Sequence, residues 1–213
     1  MTGNEWLCLW YLRLNGYFTL PNFYAHRRSG PLTEVDVLGV RFPYSKENNF
    51  EDDEKALNYP SNKVDIVLGE AKTKHIEELN GPWGSPDGKA LQYVLQRVGI
   101  VPPDAVKNLA GEIFAKKRAV IDGIMIRVVC FAESIGDELL KADVTFVSWD
   151  QVLAFIYGRF RENHRLKADH EKWDEFGQFL WRHMDNPRPP DPNSLCAKWD
   201  ALSYRYRDEI LSQ

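Results

Sequence analysis

Residues 64–74 read VDIVLGEAKTK, a hydrophobic run of Val64, Ile66, Val67 and Leu68 that leads straight into Glu70, Ala71 and Lys72. The run has no helical spacing, and its branched apolar residues predict a strand. In a strand, side chains two apart share a face. Glu70 and Lys72 therefore point the same way, and Leu68 and Ile66 continue that face inward. An acid and a base are driven together off the end of a buried strand. As a solvent-exposed pair they would be worth little energetically, so the arrangement invites a chemical explanation.

The stretch LTEVDVLGVRF, residues 32–42, supplies a partner. It alternates, with Thr33, Val35, Val37 and Gly39 on one face and Glu34, Asp36, Leu38 and Val40 on the other. If the two strands are neighbours, Asp36 and Glu70 converge at one end of the sheet. Converging carboxylates repel unless a cation sits between them, and hard oxygen ligands suit Mg2+ or Mn2+. A compact lysine ammonium at the same end can orient an attacking water or neutralise charge on a phosphate. Asp65 also precedes Glu70, but by an odd number of residues, so parity puts it on the opposite face as a strand-start residue. Glu34 shares Asp36's face about 7 Å along the strand and is a possible additional ligand.

Upstream, residues 2 to about 15 predict a helix, with Trp6, Trp10 and Leu14 on a stripe and Asn15-Gly16 as its stop. Thr2-x-x-Glu5 has the form of a capping box, so Glu5 has a structural role available beside a functional one. YFTLPNFYAHR, residues 17–27, reads as extended, with Pro21 marking an edge or bend. Residues 43–63 carry little periodicity and contain the acidic run EDDE; a connection this long is usually functional or mobile. GPWGSPDG, residues 81–88, is a turn-rich break. KALQYVLQRVG and PDAVKNLAGEIFAKKRAV predict two helices, and GIMIRVVCFAES and DVTFVSW two strands. From Ser148, which forms an S-x-x-Q box with Gln151, three helical segments follow. They carry Phe155 and Phe160, then Trp173, Phe176 and Leu180, then Trp199, Tyr206 and Ile210. The order predicts an α/β core over residues 1–147 and a helical extension over 148–213, packed on the core or mediating association.

Bulk properties narrow the function classes. The 213 residues are 44% hydrophobic and 13% aromatic, enough for a domain with a real core. No segment reaches the roughly 18 apolar residues of a membrane span. The run WLCLWYLRL lacks the basic start and small-residue cleavage site of a secretory signal, so no membrane partner and a cytoplasmic location are expected. Cys8, Cys130 and Cys196 are widely spaced, which argues against a disulfide framework and a thiolate zinc site. A net charge of -4 confines any nucleic-acid contact to local basic patches. Candidates for these are Arg27 and Arg28, Lys74, the cluster Lys116 to Arg118, and Arg159, Arg161 and Arg165. Among the histidines, His75 lies nearest to Lys72 in sequence; His164 and His170, like the others, show no metal-ligand spacing. Gln92 and Gln96 lie on the helix that follows the acid–base strand.

A leading helix, an alternating strand with Asp36, and a hydrophobic strand ending in Glu70-Ala71-Lys72 together resemble the PD-(D/E)XK nuclease superfamily, over residues 1 to about 147. The opening helix is similar to that of Holliday-junction-resolvase-like and Mrr-like members. The resemblance implies a restriction-endonuclease-like mixed sheet flanked by helices. It implies catalytic roles for Asp36, Glu70 and Lys72, with Glu5 as the matching helical glutamate, while Glu34 stays an additional candidate from its place on the strand. Metal ligation would come from Asp36, Glu70 and the Ala71 backbone carbonyl, with Mg2+ as cofactor and Mn2+ able to substitute. The implied activity is DNA endonuclease cleavage leaving a 5′ phosphate. The alternatives are a nuclease-fold binding or scaffold protein without turnover, and a metal-dependent hydrolase acting on RNA. The aromatic C-terminal helices would either wrap the core or form a homodimer.

Overall fold

The computed structural model describes residues 1–27, 30–45, 55–84, 88–142, 144–162, 172–183 and 190–211, with backbone alone for residues 27, 30–32 and 205–211. The acidic run at 51–54, Arg28, His164, Arg165 and His170, and the side chains of Arg27, Tyr206 and Ile210, lie outside the described residues.

Helix α1 (Gly3–Leu14) opens the chain. Its first turn is closed by the capping box, with Thr2 Oγ1 accepting from the Glu5 amide and Glu5 Oε2 accepting from the Thr2 amide. Leu7 to Leu12 are all buried, as expected of a helix that is apolar on every side and sits between two layers. Strands β1 (Phe18–Arg27), β2 (Gly30–Arg41) and β3 (Val64–Ala71) follow, each antiparallel to the one before. After the two-residue strand β4 (His75–Ile76) come helices α2 (Lys89–Val98) and α3 (Val106–Lys116). Strand β5 (Arg118–Ile121) and strand β6 (Ile124–Ala132) form an antiparallel hairpin. The order ends with β7 (Ser134–Ile135), α4 (Asp137–Lys141), β8 (Thr145–Ser148), α5 (Trp149–Glu162), α6 (Glu175–His183) and α7 (Pro192–Leu211).

The sheet is mixed and six-stranded, in the order β1-β2-β3-β6-β5, with β8 pairing the far half of β6. The β3–β6 and β6–β8 pairs are parallel. Pro21 lies in β1 at the sheet edge, where its missing N–H costs no ladder bond. The sheet separates two cores. On one face Val37, Val67, Val129 and Phe131 pack against α1, α5, α6 and α7. On the other, Ile66, Leu68, Val128 and Cys130 pack against α2 and α3. The molecule is thus an α/β protein with a mixed six-stranded sheet flanked by helices on both faces. Among the described residues no helix is long and apolar enough to cross a membrane.

Three expectations are revised. The tail of PDAVKNLAGEIFAKKRAV is strand, not helix, because Lys117 takes a left-handed φ of 57° and ends α3, and Asp122-Gly123, with φ of 46° and 78°, turns the hairpin. Alternation along β2 breaks at Asp36: Val35 and Leu38 both face the α2–α3 core while Val37 faces α1. Opposite that point Asn22 has φ 48°, and the ladder skips from Pro21↔Val37 to Phe23↔Val35. Arg159 is buried against the Phe155 ring and offers no surface charge. Phe176 of α6 and Trp199 of α7 face inward, with Phe176 stacked on Trp6 at 5.6 Å and Trp199 edge-on to Phe176 at 5.0 Å.

Candidate functional site

The β2–β3 ladder closes at Val37 opposite Gly69. One step further along the same antiparallel register, Asp36 stands beside Glu70. There a side chain carries the strand contact: the Ala71 amide donates to Asp36 Oδ2 at 2.8 Å. Asp36 is 8% exposed and Glu70 4%, so two carboxyl groups meet at the inner end of the strand pair. Lys72, one step past the end of β3, is half-buried and returns to Glu70, Nζ to Oε1 at 2.6 Å. Its main chain is pinned on both sides. The Lys72 amide donates to the Phe131 carbonyl at 2.8 Å, and the Lys72 carbonyl accepts from Trp149 Nε1 at 2.8 Å.

The electrostatics are unbalanced. Burial first, and then the charge of Glu70, push the Asp36 carboxyl up to about 7, against the opposing pull of the Ala71 amide and Lys72. Burial alone would lower the Lys72 ammonium, but the hydrogen bond and charge of Glu70, with Asp36 and Glu5 adding, hold it above the ordinary lysine value. Lys72 is therefore a fixed cation and hydrogen-bond donor at neutral pH, unsuited to act as a general base. Glu5 is engaged in the capping box, and its charge still reaches Asp36 and Lys72. Glu34 faces Tyr24 across β1–β2, and the Glu34 hydrogen bond raises the Tyr24 phenol. Glu5 and Glu34 line one cavity of about 260 Å³ together with Asp200 of α7.

Sequence reasoning missed Trp83. The GPW segment forms one 3-10 turn that buries this indole, and its Nε1 donates to Glu70 Oε2 at 3.2 Å. Pro82 and the left-handed Gly81, φ 61°, mark the turn in the sequence, but nothing local shows where the indole points. Gln92 is half-buried on α2 and Gln96 exposed. The three cysteines are free and buried. Burial and then Glu70 push the Cys130 thiol up to about 12, and burial and then Asp36 raise Cys8, so neither is a nucleophile or a thiolate ligand.

Asp65 falls on the opposite face from Glu70, as parity requires. Arg127 grips it bidentately, Nε to Oδ1 at 3.0 Å and Nη2 to Oδ2 at 2.8 Å, and Tyr17 OH donates to Oδ2 at 2.5 Å. Arg127 Nη1 donates to the Leu57 carbonyl, which ties residues 55–57 of the long connection to this cluster.

The donors at the Asp36–Glu70 end are hard oxygens, the type a divalent ion takes. Two buried carboxyl groups repel one another there, and Mg2+ is commonly held by one or two carboxylates while it keeps several waters. Among the described residues no group of three or more His, Cys, Asp or Glu side chains could hold an ion. Asp36 and Glu70 would therefore need the Ala71 carbonyl and water to complete a shell. No family model matches the chain, and no curated protein or solved structure matches it either.

Proposed function

We propose that this protein is a divalent-metal-dependent DNA endonuclease of the PD-(D/E)XK, restriction-endonuclease-like type. The observation that carries this reading is the convergence of two buried carboxyl groups, Asp36 and Glu70, with Lys72 held charged beside them. The helix-flanked mixed sheet is compatible with it.

Asp36 and Glu70, with the Ala71 carbonyl, would hold Mg2+ or Mn2+. Such an ion polarises a phosphodiester and lowers the pKa of water near it. The chain's own residues do the rest. Lys72 Nζ, aimed by Glu70 and by a backbone fixed at both its amide and carbonyl, donates toward the phosphate or orients the attacking water. Trp83 Nε1 donates to the second Glu70 oxygen. Burial around the carboxyl groups excludes bulk water and strengthens each charge interaction. Water adds to phosphorus, the bond to the 3′ oxygen breaks, and the products carry a 3′ hydroxyl and a 5′ phosphate. A homodimer through the C-terminal helices would use their outer surface, where Leu202 and Tyr204 are exposed.

The test is cleavage of plasmid, linear and branched DNA, with an RNA arm, in Mg2+ or Mn2+. Cutting of DNA that is lost in Lys72→Ala supports the reading, and cutting of RNA alone replaces DNA as substrate. A second reading, a nuclease-fold binding protein without turnover, is favoured by the closed Lys72–Glu70 ion pair. It predicts no cutting of any substrate in the panel.

A further inference from the structure

Beyond the carboxylate cluster, the short parallel pair β4–β7 places His75 beside Ser134 in register. Ser134 Oγ lies 2.8 Å from His75 Nδ1, and His75 Nε2 lies 2.9 Å from Glu77 Oε1. A serine, an imidazole and a carboxylate thus form one continuous hydrogen-bonded row.

Hydrogen-bond logic fixes the direction of the row. An ionised Glu77 can only accept, so Nε2 of a neutral imidazole must carry the ring proton. Nδ1 is then the acceptor, and the Ser134 hydroxyl donates to it. That is the arrangement of an activated nucleophile, which is recognised by roles and geometry rather than by chain order. Glu77 passes over Gly136, with Oε2 2.5 Å from where a Cβ would stand, and its side chain is 77% exposed. Ser134 is exposed, so an electrophile has access to it.

We infer that Ser134 is an activated nucleophile in a Ser134–His75–Glu77 relay and takes the acyl group of small carboxylic esters. The charges around the row favour uncharged or cationic esters, since Glu78, Glu133, Asp137 and Glu138 are exposed nearby against Lys74 and Lys141. In the step, Oγ bonds to the carbonyl carbon while its proton passes to Nδ1. The bond to the leaving alcohol then breaks, and the alcohol takes that proton. Water attacks the acyl-serine by the same route, releasing the acid and restoring the hydroxyl.

The full chain in EDTA, which silences any metal-dependent nuclease, is treated with an uncharged alkyl fluorophosphonate and mapped by mass spectrometry. Hydrolysis of p-nitrophenyl acetate is followed in parallel. The expected result is one phosphonyl adduct on the Ser134 peptide, absent in Ser134→Ala. His75→Gln should slow both labelling and ester turnover by about 100-fold, and Glu77→Gln by less. Labelling no faster than in the urea-unfolded chain, or undiminished in His75→Gln, overturns the inference. Neither outcome bears on the nuclease reading, which is assayed separately with metal.

Discussion

Asp65 and Glu70 lie near opposite ends of one eight-residue strand and on opposite faces of one sheet, and both are buried acids. Their surroundings differ in kind. Asp65 has a bidentate guanidinium and a phenol, so its charge is answered in full. Glu70 has one lysine and one indole, and it must share that lysine's field with Asp36. The first cluster is closed and holds the fold. In the second, burial and then the unshared charge of Glu70 push the Asp36 carboxyl up to about 7. The completed balance at Asp65 is architectural, and the incomplete one at Asp36 and Glu70 is what motivates the proposed metal site.

The largest effect that separates the two ends is on stability. Arg127→Met strands Asp65 without its counter-charge and should cost about 3–5 kcal/mol, read by urea unfolding. A loss below 1 kcal/mol would break the contrast from the structural side.

At the other end the sign reverses. The folded-state pKa of Asp36 lies above the unfolded value of 3.8, so the native state binds the extra proton between the two. The contribution of Asp36 to stability is therefore fully present below about pH 4 and lost as pH rises through about 7. Asp36→Asn removes the buried charge. It should stabilise the metal-free protein above pH 7 by at most about 4 kcal/mol, with the difference from the parent vanishing near pH 4. Melting curves of both proteins across that window check it.

Much of this contrast is legible in the sequence, because alternation holds along β3, where Ile66 and Leu68 face one core and Val67 the other. Parity alone joined Glu70 to Lys72 and excluded Asp65 from their face. What parity could not supply was partners distant in the chain. Arg127 comes from β6, and Trp83 from a turn that reads as punctuation. The kink opposite Asn22 was equally hidden, since a left-handed asparagine leaves no pattern in its own strand. By contrast, the Asp122-Gly123 turn is written in the sequence, but Lys116 to Val120 reads on as a continuation of the preceding helix and masks it.

Two smaller effects sharpen the comparison. Lys72→Ala should reduce DNA cleavage by about 10²–10³-fold, the cost of losing one preorganised donor, while the far-ultraviolet circular dichroism stays that of the parent. Equal rates would remove Lys72 from the chemistry. Trp83→Phe keeps an aromatic ring, though a smaller one, and deletes the donor to Glu70, which should cost at least about 1–2 kcal/mol of stability and weaken Mn2+ binding, both measurable without turnover.

Calorimetric titration of Mn2+ into the parent, Asp36→Ala and Glu70→Ala near pH 7 tests most directly whether these two acids share one ion. The account predicts a single binding event in the parent, accompanied by release of a fraction of a proton as Asp36 ionises, and its loss in both variants. Full-affinity binding in either variant would contradict it.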